Sequence, residues 1–358
     1  MTPARSFSDG SAEPLTTGYD VALLDLDGVV YVGSAAVAGV PEALAAVRVA
    51  GMRLGFVTNN AARPAADVAA HLADLGVPAV ADDVITSSQA AATVVAGLWP
   101  AGSPVLAVGG PGVAVALRGA GLSVVEKAED DPVAVVQGFG PEVDWKQLAE
   151  AVVAIRNGAR HVATNADATL PSPRGPLPGN GAMVGLVSAV TGQTPLVTGK
   201  PDPAMHAECL RRTEAQRPLV VGDRLDTDIE GARRAGADSL LVFTGVTDAA
   251  ALLAAGPLHR PDFLAPDAGG LLVAHPAVAA EDSGVRCGAW TVGTDEFQGV
   301  LVLEADHRDD GDGLDGLRAL CVAHWARHPE DGAPARVKPA GDQATGALRR
   351  WGLAVAED

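Results

Sequence analysis

The sequence contains few cysteines, few aromatic residues and few positive charges for its length. Its three cysteines, Cys209, Cys287 and Cys321, lack the paired spacing of a zinc site or of a disulfide framework. We therefore expect reduced thiols, as in a cytoplasmic protein. Aromatic residues make up 4% of the chain. Alanine, glycine and valine dominate instead, a bias that is typical of a tightly packed α/β protein.

The deficit of basic residues argues against a further class of protein. Lysine and arginine number 26 against 44 acidic residues, which gives a formal net charge of −18. A nucleic-acid-binding surface needs clustered positive charge, so none is expected. No apolar run is long enough to span a membrane, and residues 1–18 lack the apolar segment of a secretory signal. We expect a cytoplasmic protein without nucleic-acid or membrane partners.

One short stretch organises the rest of the chain. Residues 21–30 begin as an apolar run that predicts a buried parallel strand, and they turn polar at Asp25, Asp27 and Gly28. Uncompensated buried charge is very costly, so the two carboxylates should lie at the carboxyl end of the strand, beside a cation. The simpler alternative is a strand that is followed by an Asp-Gly turn.

Three further polar clusters each follow an apolar segment. They are Thr58 with Asn59, Lys200, and Asp223 with Asp228. We place all four segments in one parallel sheet, because the strand ends of such a sheet converge on a single crevice. The combined carboxylates, ammonium group and hydroxyl suit a hard divalent cation such as Mg²⁺ beside a phosphate group.

These clusters resemble the four sequence motifs of the haloacid dehalogenase superfamily of phosphatases. In chain order they are Asp25-Leu26-Asp27-Gly28, Thr58-Asn59-Asn60, Gly199-Lys200-Pro201, and Gly222-Asp223 through Thr227-Asp228. The insertion between the second and third motifs is similar to the large α/β cap of the p-nitrophenyl-phosphatase-like branch. Its matching segments are Thr164-Asn165-Ala166-Asp167, Leu170-Pro171 and Pro178-Gly179-Asn180-Gly181. Over its whole length, the chain is similar to actinobacterial glycerol-3-phosphate phosphatases.

The resemblance implies an α/β fold: a Rossmann-like three-layer parallel-sheet core with an inserted α/β cap and a small C-terminal α+β domain. The core would comprise residues 18–88 and 196–272, and the cap residues 89–195. Residues 1–17 would form a flexible leader. Residues 275–358 would form the C-terminal appendage, which distantly resembles part of an acetyltransferase fold but carries no cofactor-binding signature.

The resemblance also implies a role for each acidic residue of the site. Asp25 would attack phosphorus, and Asp27 would act first as general acid and then as general base. Mg²⁺ would be held by Asp25, by the backbone carbonyl of Asp27 and by Asp223. Asp228 would act from outside the ligand shell, by orienting metal-bound waters or the lysine of the third motif.

The other motif residues would bind the substrate. Lys200 and Thr58 would bind phosphoryl oxygens, together with loop amides at Gly28, Asn59 and Asn60. Asn165 and Asp167 are the cap residues that we expect to face the substrate. The structural alternatives are a turn for Asn165, Asp167 and Lys200, a helix cap for Thr58 and Asn59, and a helix N-terminus for Asp226 and Asp228. We assign only Asp226 to the last of these.

The sequence therefore predicts a Mg²⁺-dependent phosphatase that hydrolyses a small phosphate monoester through an aspartyl phosphate, with glycerol 3-phosphate favoured. Phosphoglycolate, pyridoxal phosphate and a nucleotide monophosphate are alternative substrates. Two other hypotheses stay open: phosphoryl transfer to an acceptor other than water, and a regulatory or binding protein that acts through residues 275–358. Caps of this branch often mediate dimers, so we also consider a homodimer.

Overall fold

The structure, a computed structural model, describes residues 7–170, 172, 174–282, 284–295, 299–306 and 311–354. It contains two compact units, one formed by Met1–Leu54 with Gln216–Asp358 and the other by Gly55–Ala215. None of the helices within the described ranges is both long and apolar enough to cross a membrane. The four-part domain division drawn from the sequence remains a prediction.

A parallel sheet forms the centre of the first unit. Four of the strands of this sheet are, in spatial order, Phe263–Ala265, Asp238–Val242, Pro218–Gly222 and Val21–Asp25. The helical segments around it are Leu15–Gly18, Val40–Val49, Leu225–Ile229, Glu230–Ala235, Ala249–Leu253, Pro257–His259 and Ala268–Leu272. Every residue of Val21–Asp25 is buried, as expected for an apolar strand that is covered on both faces. The expectation of parallel strands that alternate with helices is confirmed.

The C-terminal part of the first unit contains a second, mixed sheet. Its strands are Ala279–Glu281, Gly284–Cys287, Trp290–Asp295, Val300–Ala305 and Val337–Ala340, in that spatial order. The first four pair antiparallel, and the last pair is parallel. Two helices accompany the sheet, Asp315–Arg327 and Asp342–Arg350. This segment therefore has the α+β character that the sequence predicts.

The two sheets of the first unit share one hydrophobic core. Leu241 and Leu264 of the parallel sheet belong to the same buried cluster as Trp290 and Leu320 of the C-terminal segment. A buried polar contact also joins the C-terminal segment to the parallel sheet. Arg318 is 2% exposed and donates hydrogen bonds to the carbonyl of Leu264 and to the carboxylates of Asp312 and Asp315. The C-terminal segment is thus an integral part of this unit.

The N-terminal residues differ from the expected flexible leader, of which residues 1–6 lie outside the described ranges. Phe7 is 3% exposed and its ring lies 5.4 Å from the ring of Trp325. The backbone amide of Ser11 donates to the carbonyl of His275 at 2.8 Å, and Leu15 is 1% exposed. The polar composition of this segment predicted a leader, but its two large apolar side chains are buried, which holds residues 7–17 against the unit.

The second unit contains a five-stranded parallel sheet. Its strands, in spatial order, are Leu196–Val197, Arg160–Ala163, Ala134–Gln137, Pro104–Val108 and Ser123–Val125. Arg53–Thr58, which begins in the first unit, pairs in parallel with Val84–Thr86. The strands Thr169–Leu170 and Leu177–Pro178 pair antiparallel. The helical segments are Ala65–Asp74, Ala81–Asp83, Ser87–Leu98, Pro111–Gly119, Ala128–Asp130, Trp145–Arg156, Asn180–Thr191 and Pro203–Thr213.

The position of Leu196–Val197 corrects one expectation. This strand pairs with Val162 and Ala163, so Lys200 follows a strand of the five-stranded sheet and not one of the sheet that carries Asp25. A strand of two half-buried residues is too short for its sequence to specify its partner. Backbone pairing in the folded chain determines which strand it joins. The amide of Thr198, just after the strand, extends this pairing by donating to the carbonyl of Ala163 at 3.1 Å.

The shared core predicts that loss of a C-terminal side chain destabilises the whole first unit. Trp290 is 1% exposed, and we expect Trp290→Ala to lower the free energy of unfolding by about 3–5 kcal/mol. Trp145, which is 80% exposed, is the matched control, and Trp145→Ala should change it by less than about 0.5 kcal/mol. Urea unfolding measures both values. Equal effects of the two substitutions would contradict a shared core.

Candidate active site

Three buried carboxylates meet at the end of the parallel sheet in the first unit. Asp25 is the last residue of its strand, and Asp223 follows the neighbouring strand directly; the register Leu24↔Val221 brings the two strand ends side by side. Asp228 comes from the turn of helix that follows. One carboxylate oxygen from each of the three residues lies within 4.8 Å of the other two. The exposed fractions are 9% for Asp25, 0% for Asp223 and 1% for Asp228.

Glycines make room for these carboxylates. A Cβ atom on Gly28, whose φ is +91°, would lie 2.5 Å from Oδ2 of Asp223, and one on Gly245 would lie closer still. A Cβ atom on Gly222 would overlap the side chain of Asp228. No other residue type fits at these positions without displacing a carboxylate, which explains the glycine of the first motif by close approach as well as by backbone conformation.

Backbone amides orient two of the carboxylates. The amide of Val246 donates to Oδ2 of Asp223 at 2.7 Å, and the amide of Arg224 donates to Oδ2 of Asp228 at 3.2 Å. The hydroxyl of Thr244 donates to the carbonyl of Gly28. The loop 244–247 was missed in the sequence analysis. The sequence feature that indicates this loop is a Thr-Gly pair just after the strand Asp238–Val242, at the strand end where ligands bind in sheets of this kind.

This donor set fits a hard divalent cation. Three like charges in a water-poor space repel one another strongly unless a cation lies among them. Mg²⁺ prefers oxygen ligands and is usually held by one or two carboxylates with water or phosphate oxygens. Asp25, Asp223 and Asp228 therefore suit Mg²⁺, whereas the side chain of Asp27 is exposed and lies outside the three-carboxylate group. Asp228, expected outside the ligand shell, contributes an oxygen to the group itself.

The Asp226 side chain has a different environment. It is 61% exposed and forms an ion pair with Arg224 at 2.8 Å. Asp228, by contrast, is almost fully buried. That Asp228 and not Asp226 belongs to the site remains a prediction. The helix-cap alternative for Thr58 and Asn59 finds no support, because the next helix begins at Ala65 with Pro64 as its N-cap.

In the second unit, Asn59 connects the second and third motifs. Its Oδ1 accepts a hydrogen bond from the backbone amide of Lys200 at 2.8 Å, and its Nδ2 donates to the carbonyl of Lys200 at 3.1 Å. Thr58 is buried, and its hydroxyl accepts from the amide of Asn60 at 3.0 Å. The folded unit thus brings together two motifs that are 141 residues apart in the chain.

The two candidate cap residues lie beside Asn59. Asn165 is 4% exposed, and its Nδ2 donates to the carbonyl of Asn59 at 2.7 Å. The carboxylate of Asp167 accepts from Nδ2 of Asn59 at 3.3 Å. Ser87, which the sequence analysis missed, donates its hydroxyl to the same carbonyl of Asn59 at 2.7 Å. It begins the helix Ser87–Leu98, which opens with a Thr86–Gln89 capping box.

Burial determines the ionisation of the other reactive groups in the described chain. It raises the pKa of the Cys209 and Cys287 thiols to about 12 and also raises the pKa of Cys321, so all three thiols stay protonated at neutral pH. Burial lowers the pKa of His161 to about 4, and this imidazole is neutral. None of these groups has the ionisation state of a nucleophile or a general acid at neutral pH.

The chain belongs to the haloacid dehalogenase-like hydrolases. Residues 22–123 match the family model described as haloacid dehalogenase-like hydrolase, and residues 197–271 match a second, described as HAD-hydrolase-like. Residues 287–353 match a GCN5-related N-acetyltransferase-like domain. The family and the fold class expected from the sequence are both confirmed.

Among individual proteins, the chain is similar to the D-glycerol 3-phosphate phosphatase of Mycobacterium tuberculosis, with 42% identity over 94% of each chain. It is also similar to the acid sugar phosphatase of Staphylococcus saprophyticus, with 37% identity over 64% of this chain and 88% of that one. The crystal structure of the glycerol phosphate phosphatase from M. tuberculosis in complex with magnesium superposes with a TM-score of 0.85, at 41% identity, over 96% of this chain and 99% of that one.

The carboxylate group predicts a specific response to metal. Mg²⁺ at about a hundredfold excess over its Kd should stabilise the protein by about 2.7 kcal/mol, seen as a higher Tm. Asp223→Asn should abolish this response and leave the metal-free Tm equal or higher, because one of three repelling charges is removed. Asp130, which is exposed, is the control, and Asp130→Asn should respond as the wild type does. An unchanged Mg²⁺ response in Asp223→Asn would contradict the assignment.

Proposed function

We propose that the protein is a Mg²⁺-dependent phosphatase that hydrolyses a small phosphate monoester, with glycerol 3-phosphate favoured. The observation that carries this proposal is the buried group of Asp25, Asp223 and Asp228, in a chain that is similar over 94% of its length to a D-glycerol 3-phosphate phosphatase. A buried carboxylate group that suits Mg²⁺ meets a requirement of phosphoryl transfer, since that reaction depends mainly on positioning and charge neutralisation.

In the proposed reaction, Asp25 attacks phosphorus and becomes a transient aspartyl phosphate. A carboxylate is a weak nucleophile, so its position at the rigid end of a buried strand matters. Asp27, two residues further on, protonates the leaving alkoxide and then deprotonates the attacking water. Its exposed side chain suits exchange of protons with substrate and solvent. Bound Mg²⁺ supplies charge neutralisation between the nucleophile and the phosphoryl oxygens.

We assign the phosphoryl oxygens to the second and third motifs. The ammonium group of Lys200 binds one of them as a point charge. The hydroxyl of Thr58 and the amides near Gly28, Asn59 and Asn60 bind the others. Support for this assignment comes from the order of the motifs and from the hydrogen bonds that join Asn59 to Lys200.

The C-terminal segment has a structural role in this proposal. Its match to an N-acetyltransferase-like domain concerns a fold, and its helix Asp315–Arg327 is buried against the parallel sheet of the first unit. We therefore assign catalysis to the acidic group and not to residues 275–358. A cytoplasmic location and a homodimer complete the proposal as we expected them from the sequence.

Asp25→Asn tests the nucleophile. The substitution preserves shape and removes the attacking charge, so Mg²⁺-dependent release of phosphate should fall by at least about 10³-fold. Asp226→Asn alters an exposed carboxylate of the same region and should retain wild-type activity. Circular dichroism establishes that both variants fold. Turnover by folded Asp25→Asn at the wild-type rate would refute the mechanism.

The substrate is tested by a panel of phosphate esters with and without Mg²⁺. Glycerol 3-phosphate should give the highest kcat/KM, above phosphoglycolate, pyridoxal phosphate and nucleotide monophosphates. Product analysis in the presence of added alcohols measures any phosphoryl transfer to acceptors other than water. A higher kcat/KM for another ester would replace the favoured substrate, and full activity after chelation would refute the role of the metal.

A further inference from the structure

A continuous chain of side-chain amides runs through the second unit to the backbone of Lys200. Asn180 donates from Nδ2 to the carbonyl of Asn165 at 2.9 Å and to the carbonyl of Gln137 at 3.3 Å. Asn165 in turn donates to the carbonyl of Asn59 at 2.7 Å. Asn59 contacts the backbone of Lys200. Within the described residues, Oδ1 of Asn180 has no hydrogen-bond partner, whereas both polar side-chain atoms of Asn59 and of Asn165 are paired. A buried polar network rigidifies a site where its members are satisfied, which in this series applies to Asn59 and Asn165.

Asn59 and the backbone of Lys200 form a two-point contact that consists of two hydrogen bonds. One carboxamide plane accepts from the amide nitrogen of Lys200 at 2.8 Å and donates to its carbonyl at 3.1 Å. A carboxamide offers a donor nitrogen and an acceptor oxygen on one carbon in a fixed plane, whereas an ionised carboxylate has acceptors alone. Both polar atoms of the Asn59 side chain therefore bond to the backbone of Lys200, and Nδ2 also donates to the carboxylate of Asp167.

The neighbouring glycine shows how close this contact is. A Cβ atom on Gly199 would lie 2.7 Å from Oδ1 of Asn59 and closer still to the carbonyl of Thr164. The loop before Lys200 therefore packs directly against Asn59 on one side and against the residue that precedes Asn165 on the other. This packing leaves the backbone of Lys200 little freedom to move independently of both.

Both polar atoms of the Asn165 side chain are also hydrogen-bonded within the protein. Its Nδ2 donates to the carbonyl of Asn59, and its Oδ1 accepts from the amide of Asp167 at 3.2 Å. With 4% of its surface exposed, this side chain holds the Asn59 loop from the cap side, while the hydroxyl of Ser87 holds the same carbonyl from its helix. Asn165 thus acts on the site through Asn59.

We propose that Asn59 and Asn165 are positioning residues for Lys200. Asn59 fixes the backbone from which the lysine side chain extends, and Asn165 fixes Asn59. This inference rests on the proposed function of Lys200 in binding phosphate. It replaces the expected substrate contact of the Asn165 side chain with an indirect role, and it leaves the backbone amide of Asn59 assigned to the phosphoryl oxygens.

A double-mutant cycle in the affinity for inorganic phosphate tests Asn59. The four proteins are the wild type, Asn59→Ala, Lys200→Ala and the double variant, all with saturating Mg²⁺ in titration calorimetry. Asn59→Ala should raise the Kd of phosphate by about tenfold when Lys200 is present and by less than about twofold when it is absent, since coupled residues are non-additive. Equal effects in both backgrounds would overturn the proposal.

Further variants exclude a general loss of structure. Asn59→Asp keeps the acceptor, loses the donor and places a second carboxylate beside Asp167, so it should bind phosphate no better than Asn59→Ala. Asn157, an exposed residue at the end of Trp145–Arg156, is the control, and Asn157→Ala should bind phosphate as the wild type does. Asn59→Asp with wild-type affinity would contradict the two-point contact. Absence of phosphate binding and turnover in the wild type would refute the proposed function itself.

Two esters with different alcohol groups test Asn165. If its side chain acts through Asn59, Asn165→Ala should lower kcat/KM for glycerol 3-phosphate and for p-nitrophenyl phosphate by the same factor, about threefold to tenfold for one lost hydrogen bond. If its side chain contacts the alcohol portion, the two factors should differ. Loss that is confined to glycerol 3-phosphate would therefore overturn the positioning role of Asn165.

Discussion

The structure depends first on the burial of three carboxylates, one oxygen of each lying within 4.8 Å of the others. Such a group raises the free energy of the folded state unless a cation neutralises it, because charge repulsion is poorly screened away from water. The amides of Val246 and Arg224 compensate part of this charge. A divalent cation completes the compensation. The carboxylate group that destabilises the metal-free folded protein is therefore also the group that suits the binding of Mg²⁺ for phosphate chemistry.

The glycines of the site follow from the same constraint. Three carboxylates approach each other only if their neighbours occupy almost no volume, and Cβ atoms at Gly28, Gly222 or Gly245 would overlap Asp223 or Asp228. The glycine of the first motif therefore has a steric cause in the fourth motif, about two hundred residues away. The contact between the second and third motifs also depends on a glycine. A Cβ atom at position 199 would overlap Oδ1 of Asn59, so any residue other than glycine there would push Asn59 away from Lys200.

The C-terminal segment shows how an appended sequence becomes part of a fold. Arg318 is buried, and its guanidinium bonds both to acidic side chains of its own segment and to the carbonyl of Leu264 in the parallel sheet. A buried charge of this kind must keep its partners, because losing one leaves the other uncompensated. Together with the common hydrophobic core, this contact makes the segment a structural part of the unit.

The sequence by itself determined the local features: the apolar strands, the α/β class, and the polar residues that end strands, because strand burial and turn chemistry depend on adjacent residues. It also identified Asp25, Asp223 and Asp228 as members of one site. Only the tertiary structure decided which sheet the short strand before Lys200 joins, that residues 7–17 are packed, and that Asn165 contacts Asn59. These outcomes depend on pairings between residues far apart in the chain, whose contact energies no local pattern records.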